Sequence, residues 1–192
     1  MGTPGTLAAL YLIFVVDATV IPALPEVFVV GFFYLHDRLG LPPLLWGVGL
    51  LAMAVAGEAT GNSLLYWFVN RTLVRTGKMP ARIESLMRRW MKFLILHDER
   101  VILLNRVVPV VPFVGAFIAA LKWNYPKSLA FIVIGGAAKY SALLLLIGVV
   151  GVAYDPAIAG WITLILVLTI VGVSAAGSVL YRRRARTPRA GP

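Results

Sequence analysis

The chain contains no cysteine and few charged residues, and these two scarcities exclude several classes of protein. Of its 192 residues, 14% are charged and 60% are hydrophobic, whereas a soluble domain has about 25% charged and roughly 45–50% apolar residues. This composition excludes a disordered chain, a disulfide-stabilised secreted domain and an ordinary cytosolic enzyme. Without cysteine, thiol catalysis, Cys-ligated zinc and iron–sulfur chemistry are excluded as well. We therefore expect a single membrane domain over residues 1–181.

Histidine is equally scarce, and the sequence gives no catalytic or metal-binding arrangement for it. His36 and His97 lie in different loops, and the chain lacks the His-Glu-x-x-His and Gly-x-Ser-x-Gly motifs. The stretch His97-Asp98-Glu99 is more typical of a solvated turn than of a metal site. We expect a protein that is not an enzyme and that uses no metal or cofactor. An intramembrane phosphatase or protease and a purely structural membrane protein are the alternatives.

Acidic residues are outnumbered by basic ones, 8 against 18, which gives a net charge of +10. A basic chain can bind either nucleic acid or anionic lipid. Here the basic residues cluster between very apolar runs, which fits anionic lipid headgroups better than a nucleic-acid-binding face. We expect membrane lipids as partners and no nucleic acid, and we leave a homo-oligomer open.

Three apolar runs are long enough to cross the hydrocarbon core, about 30 Å thick, as helices. They are residues 41–71, 127–150 and 157–181. The first begins at Pro42-Pro43, ends at Asn70-Arg71 and carries Gly57-x-x-x-Gly61, a pattern that predicts close helix packing. Residues 122–127 are predicted to form an interfacial turn with aromatic anchors. The basic amphipathic stretch 80–97 is predicted to lie along the membrane surface, and a calmodulin-binding helix is the weaker alternative. Residues 182–192 form a basic tail.

Two further apolar runs, 7–35 and 101–121, are interrupted near their centres by prolines. The prolines are Pro22, Pro25, Pro109 and Pro112. Because proline lacks an N–H and stops the helical hydrogen-bond ladder, each run predicts two half-helices joined at an elbow. Such a pair would form a re-entrant hairpin, with the irregular backbone buried in protein or lining a wet cavity. A single tilted, kinked helix is the alternative for 7–35.

The positions of the basic residues predict the topology. With Arg106 and Lys139 placed within the membrane, 15 of the 16 other basic residues fall on one side if both broken runs are re-entrant. The positive-inside rule makes that side cytoplasmic. A spanning 101–121 would place the tail opposite the basic cluster at 71–92, so the charges favour the second hairpin and are silent on the first. We expect a multi-pass protein of the plasma or inner membrane with a cytoplasmic C-terminus.

The two halves of the chain share one plan. Each broken run precedes a glycine-containing span with one ionisable residue, Glu58 in the first half and Lys139 in the second. Hairpins that enter from opposite sides would form an inverted repeat, which is typical of transporters whose site lies near the midplane. The predicted fold is an all-α integral membrane protein with two opposed re-entrant hairpins and about three transmembrane helices.

Ionisable residues within apolar stretches are the candidate site, because each such charge costs about 2.5–3.5 kcal/mol to insert. They are Asp17, Glu26, Glu58, Arg106 and Lys139. Arg106 and Lys139 are expected to bind a phosphate, since the planar fork of arginine makes bidentate hydrogen bonds, while the acids exchange protons. Half-helix N-termini would add N–H groups. The alternative is a set of internal salt bridges that pin the hairpins, with Lys139 or Glu26 reaching an interface.

Three motifs occur in an order that resembles that of a known family. They are Asp17-x-x-x-x-Pro22-x-x-Pro25-Glu26, Gly57-x-x-x-Gly61-Asn62-x-x-x-Tyr66, and Arg106-Val-Val-Pro109-Val-Val-Pro112 followed by Ala119-Ala120. Together they resemble the DedA family, also called the SNARE-associated or VTT-domain family, over roughly residues 10–150. They are similar to its first re-entrant motif, its G-x-x-x-G-D-x-x-x-Y helix and its R-x-x-P-x-x-R…A-G hairpin.

Three positions depart from the family pattern. Asn62 replaces an Asp, Pro112 replaces the second Arg and Ala120 replaces a Gly; Glu58 and Lys139 are the candidates to restore the missing acid and cation. The resemblance implies a lipid transporter or scramblase, as bacterial members recycle undecaprenyl phosphate and eukaryotic members scramble phospholipids. We expect a flippase for an anionic polyprenyl phosphate or phospholipid headgroup, with proton or ion coupling open. The expected substrate-binding residues are Arg106, Lys139, Asp17, Glu26, Glu58 and Asn62.

Overall fold

The computed structural model of the chain is helical throughout the part that it describes. That part comprises residues 2–20, 25–82, 85, 87, 98–107, 111 and 113–153, without the side chains at 106, 107 and 149–153. Among these residues there are helices and turns and no β-strand. The prediction of an all-α protein is confirmed for this part of the chain.

The helices fall in the predicted apolar runs, except for the short α3, which lies between the first two runs. They are α1 (Thr3–Thr19), α2 (Pro25–Phe33), α3 (His36–Leu39), α4 (Pro43–Val69), α5 (Val101–Val107), α6 (Val114–Ala120) and α7 (Tyr125–Ala153). The stretches Pro43–Val74 and Tyr125–Gly148 are long and apolar enough to cross a membrane, by length and composition. These two helices correspond to the spans predicted at 41–71 and 127–150.

The ends of the two long helices follow from local chemistry. α4 begins at Pro43, after Pro42 at φ −59°, because proline suits the first helical position, where its missing N–H is not needed. The predicted end at Asn70-Arg71 agrees with the end of α4 at Val69, and a π-helical turn then carries the helical backbone to Val74. Gly77, at φ +66°, lies in the turn that follows. α7 runs three residues past the predicted end at 150, since no proline occurs before Pro156.

The run 7–35 holds two helices and not one continuous helix. α1 ends at Thr19, where Val20 leaves helical geometry (φ −123°, ψ −55°), and α2 begins at Pro25. The run 101–121 likewise holds α5 and α6, with Phe113 at φ +51° directly before α6. Of the four elbow prolines only Pro25 lies within the described residues; Pro22, Pro109 and Pro112 lie outside them. Re-entry of either pair into a membrane stays a prediction.

α4 and α7 lie side by side and run in opposite directions. Near the end of α4, Ser63 accepts a hydrogen bond from the Tyr125 hydroxyl, at the start of α7, at 2.9 Å. Farther back on α4, the Glu58 carboxylate faces Gly136 of α7. The beginning of α4 and the end of α7 share one buried apolar cluster. Falling residue numbers on α4 therefore match rising numbers on α7.

α1 and α2 cover the first part of α4 in opposite directions. Leu7 lies beside Gly49 and Ala18 beside Gly61, so α1 runs parallel to α4. α2 runs antiparallel to α4, since its last residue, Phe33, packs against the beginning of α4. The break between α1 and α2 thus lies level with the middle of the Pro43–Val74 stretch.

α5 and α6 occupy the other end of the α4–α7 pair. α5 shares a buried apolar cluster with the first part of α7. α6 starts with Gly115 against Asn62 and proceeds to Ala119, which packs near Val69 at the end of α4. The two broken runs therefore approach the middle of the pair from opposite ends.

The outward faces of the helices are apolar. Large hydrophobic side chains are exposed on α1, α4 and α7, among them Leu12, Leu44, Trp67 and Leu145. A soluble protein rarely exposes extended apolar surface, whereas a bilayer covers it. The predicted span 157–181, the tail 182–192 and most of the stretch 80–97 lie outside the described residues.

Candidate functional site

The Gly-x-x-x-Gly motif of α4 forms the close contact with α1 that its pattern predicts. A Cβ on Gly57 would lie 2.6 Å from the carbonyl oxygen of Tyr11, and one on Gly61 would lie 2.7 Å from the Ala18 Cβ. Any larger residue would push the two backbones apart. The contact fixes the end of α1 against the turn of α4 that carries Glu58.

Glu58 is buried between α4 and α7, with 8% of the residue exposed. A Cβ on Gly136 would lie 3.0 Å from Glu58 Oε2, so the glycine leaves room for the carboxylate. Glu58 lies 15 residues after Pro43 and 16 before Val74, the ends of the first candidate span. At 1.5 Å per residue it is about 23 Å from either end. In a bilayer, this carboxylate would lie near the midplane.

Lys139 holds the equivalent place on α7. It lies 14 residues from each end of Tyr125–Ala153, and its Nζ forms an ion pair with Glu26 Oε1, in the first turn of α2. Lys139 and Gly136 are three residues apart and so share one face of α7. Glu26 and Glu58 therefore approach the same stretch of α7 from two helices. The sequence predicted these opposing charges, but not which acid contacts Lys139.

Asn62 is almost fully buried and uses both ends of its side-chain amide. Its Nδ2 donates to the carbonyl oxygen of Glu58 at 2.9 Å, and its Oδ1 accepts the N–H of Gly115 at 3.0 Å. The donor and the acceptor around it assign the orientation of the amide. Gly115 lies in the first turn of α6, where amides lack intrahelical partners. Both polar ends of Asn62 are thus bonded to backbone groups.

The other expected site residues are placed less fully. Asp17 lies half-buried in the last turn of α1, and Pro25 is the buried first residue of α2. Arg106 belongs to α5, and its side chain is outside the described part of the structure. In that part, no group of three or more His, Asp or Glu side chains is arranged to hold a metal ion.

Sequence reasoning missed Asn105 and the aromatic group at the start of α7. Asn105 Oδ1 accepts the N–H of Val111 at 2.7 Å, which ties the end of α5 to the second break. Tyr125 stacks on Tyr66 with ring centroids 4.4 Å apart and bonds Ser63. An amide inside an apolar run was the available signal for Asn105; for Tyr125 only an interfacial anchor was predicted.

Comparison with protein-family models finds no match, and no curated protein or solved structure matches the chain. The resemblance to the DedA family therefore rests on the motif residues alone. The contacts show what some of those residues do: Gly57 and Gly61 pack against α1, and Asn62 bonds α6.

Proposed function

We propose that this protein moves an anionic lipid headgroup, a polyprenyl phosphate or a phospholipid, across the bilayer as a flippase. The observation that carries the proposal is the Glu26–Lys139 ion pair together with the Glu58 carboxylate, which faces the same stretch of α7; both lie at mid-length of helices long enough to cross a membrane. Charged groups at that depth are expensive and typically face a substrate path or one another.

The arrangement of the broken runs supports the same proposal. α1 and α2 reach the middle of the α4–α7 pair from one end, and α5 and α6 reach it from the other. An inverted repeat would place its two elbows in this way, with the substrate site between them. The antiparallel course of α4 and α7 agrees with such a repeat.

A phosphate headgroup needs cations, and the second half of the chain supplies two candidates. Lys139 is 29% exposed although it is paired, so part of it remains open to a ligand. Arg106 lies on α5, which leads to the second elbow, and its guanidinium suits bidentate phosphate binding. The acids Glu26 and Glu58 would then balance the charge, and proton coupling through them is part of the proposal.

A structural role for the same charges is the competing explanation, and the Glu26–Lys139 pair is the observation in its favour. An ion pair that only pins α2 to α7 would leave transport intact when both charges are removed together. An uncoupled scramblase would move lipid equally in both directions and would ignore a pH gradient. An intramembrane phosphatase would release phosphate from its substrate.

The test is transport in liposomes that contain the purified protein. Headgroup accessibility of a labelled polyprenyl phosphate and of a labelled phospholipid is followed with and without a pH gradient. We expect protein-dependent transfer of at least one anionic lipid, and loss of it in Lys139→Met. Lys78→Met is the matched control, because Lys78 is an exposed lysine in the loop after the first candidate span. Absence of transfer for every anionic lipid tested would refute the proposal.

A further inference from the structure

The second broken run is attached to α4 by a contact between two backbones. A Cβ on Gly115 would overlap the carbonyl oxygen of Asn62 and would lie 3.1 Å from the Tyr66 backbone nitrogen. No side chain therefore separates the first turn of α6 from α4. This close contact between backbones brings the Gly115 amide, in the first turn of α6, directly against α4.

The Ala116 and Phe117 amides bond the carbonyl of Phe113 at 2.9 and 3.3 Å, whereas the Gly115 amide bonds a residue of another helix. Phe113, at the N-cap position, has φ +51° and ψ +55° and forms no side-chain hydrogen bond to the helix. The usual N-cap residues are Ser, Thr, Asp and Asn, whose side-chain oxygen bonds an amide of the first turn. Here Asn62, 53 residues earlier in the chain, provides that oxygen to Gly115. The cap comes from tertiary structure and not from α6 itself.

We infer that Asn62 is a positioning residue, which caps α6 from α4 and thereby fixes the second elbow against the middle of the bundle. The Nδ2 bond to the Glu58 carbonyl holds the amide in the orientation that offers Oδ1 to Gly115. Each end of the amide keeps one more hydrogen-bonding position, so the substrate-binding role that the sequence suggested for Asn62 stays a prediction beside this one.

The consequence is that a segment of less than two turns of α4, from Gly57 to Asn62, locates both broken runs. Gly57 and Gly61 pack against α1, and Asn62 accepts a hydrogen bond from the first turn of α6. The spacing between the two elbows is then set by rigid helical geometry. The effect of Asn62 on transport rests on the function proposed above, whereas the docking of α6 does not.

The test measures the position of the second elbow directly. Because the chain lacks cysteine, spin labels can be placed at Phe113→Cys and at Leu44→Cys, two exposed positions. Leu44 is 18 residues before Asn62 on α4, about 27 Å along the helix. Pulsed electron resonance then gives the distribution of the distance between the labels in Asn62→Leu, Asn62→Asp and the control Ser63→Ala.

We expect one narrow distribution in the parent protein, in Asn62→Asp, which keeps the acceptor, and in Ser63→Ala, which loses the bond from Tyr125 and its own bond to the Ala59 carbonyl but none to α6. In Asn62→Leu the distribution should broaden, and the Gly115 amide should exchange hydrogen about tenfold faster or more, since a buried bond is lost. If Asn62→Leu does not fold, Asn62→Ser, whose hydroxyl is too short to reach Gly115, takes its place. Broadening in Asn62→Asp equal to that in Asn62→Leu would overturn the inference.

An unchanged distribution in Asn62→Leu would also overturn the inference, whatever the liposome assay shows. Conversely, the parent protein could move no lipid while the distance distribution broadens in Asn62→Leu alone. That result would refute the proposed function and support the role of Asn62 in docking α6. In a protein that does transport lipid, Asn62→Leu should lose at least tenfold in rate and Asn62→Asp should recover most of it.

Discussion

Lys139, at the midpoint of α7, forms an ion pair with Glu26, in the first turn of α2. The two residues are 113 positions apart in sequence, and they connect the first broken run to the long helix of the second half. A buried pair of this kind is a poor source of net stability, because the cost of desolvating both charges offsets their attraction. Its presence at this depth is therefore more easily explained by function than by stability.

Removing one partner of this pair should destabilise the protein more than removing both. Lys139→Met leaves Glu26, whose side chain is 14% exposed, as an uncompensated charge, and we expect a loss of about 2–3 kcal/mol, less than for a fully buried pair. The double variant Lys139→Met with Glu26→Gln should recover most of that loss. Thermal unfolding of the purified protein in detergent measures both effects.

Lipid transport should separate the two explanations of the pair. If Lys139 binds the headgroup, the double variant should remain inactive although its stability is restored. Recovery of transport in the double variant would assign the pair to structure alone. The single variant Lys78→Met, which removes an exposed lysine in the loop after the first candidate span, should change neither stability nor transport.

The glycines of α4 give a second prediction. Gly57→Ala and Gly61→Ala should each destabilise the protein by about 1–3 kcal/mol, since the new methyl group meets the backbone or the Cβ of α1. Gly148→Ala on α7 is the matched control, because nothing lies within 4 Å of its Cβ position. Melting temperatures in detergent provide the comparison. Equal melting temperatures for all three variants would show that α1 does not pack on α4 at this motif.

Topology gives a third prediction. Single cysteines at Arg38, Thr76 and Thr187 can be introduced into a chain that has none. Both Arg38 and Thr76 are exposed, at opposite ends of the first candidate span. With basic clusters on the cytoplasmic side, a membrane-impermeant thiol reagent applied to intact cells should label only the cysteine at 38. Labelling at 76 or 187 would exclude the arrangement of two opposed hairpins.

Those features of the fold that depend on local chemistry could be predicted from the sequence. Pro42-Pro43 predicted the start of α4, the interruptions in the runs 7–35 and 101–121 predicted two helices in each, and the Gly57–Gly61 spacing predicted close packing. Each of these follows from backbone geometry or side-chain volume within a few residues. The predicted end of the first span lies within two residues of the end of α4 at Val69, but Asn70 and Arg71 only mark polarity and gave no sign of the π-helical turn that follows to Val74.

The partners of the polar residues could not be predicted, because they depend on how distant helices are aligned. That Lys139 meets Glu26 follows from where α2 crosses α7, and that Asn62 bonds Gly115 follows from where α6 starts on α4. The sequence marked these residues only as polar groups in apolar runs. It suggested a ligand role for Asn62, whereas the structure gives its amide two backbone partners.

The last prediction concerns Arg106, which the sequence places in the second half opposite the acids Asp17 and Glu58. If its guanidinium binds the lipid phosphate, Arg106→Leu should abolish transport in a protein that still folds. Arg106→Lys should also be impaired, because an ammonium cannot reproduce the two parallel hydrogen bonds of the planar fork. Liposome transport assays on folded, reconstituted variants measure both.

Double variants distinguish substrate binding by Arg106 from charge neutralisation. A cation that only neutralises an acid becomes dispensable when that acid is removed with it, since no uncompensated charge remains. Transport should therefore stay absent when Arg106→Leu is combined with Asp17→Leu or with Glu58→Leu, even where the combination restores thermal stability. If Arg106 binds the phosphate, removing an acid as well does not supply the missing phosphate ligand. Restored transport in either combination, or normal transport in Arg106→Leu alone, would assign this arginine to structure and place the phosphate site elsewhere.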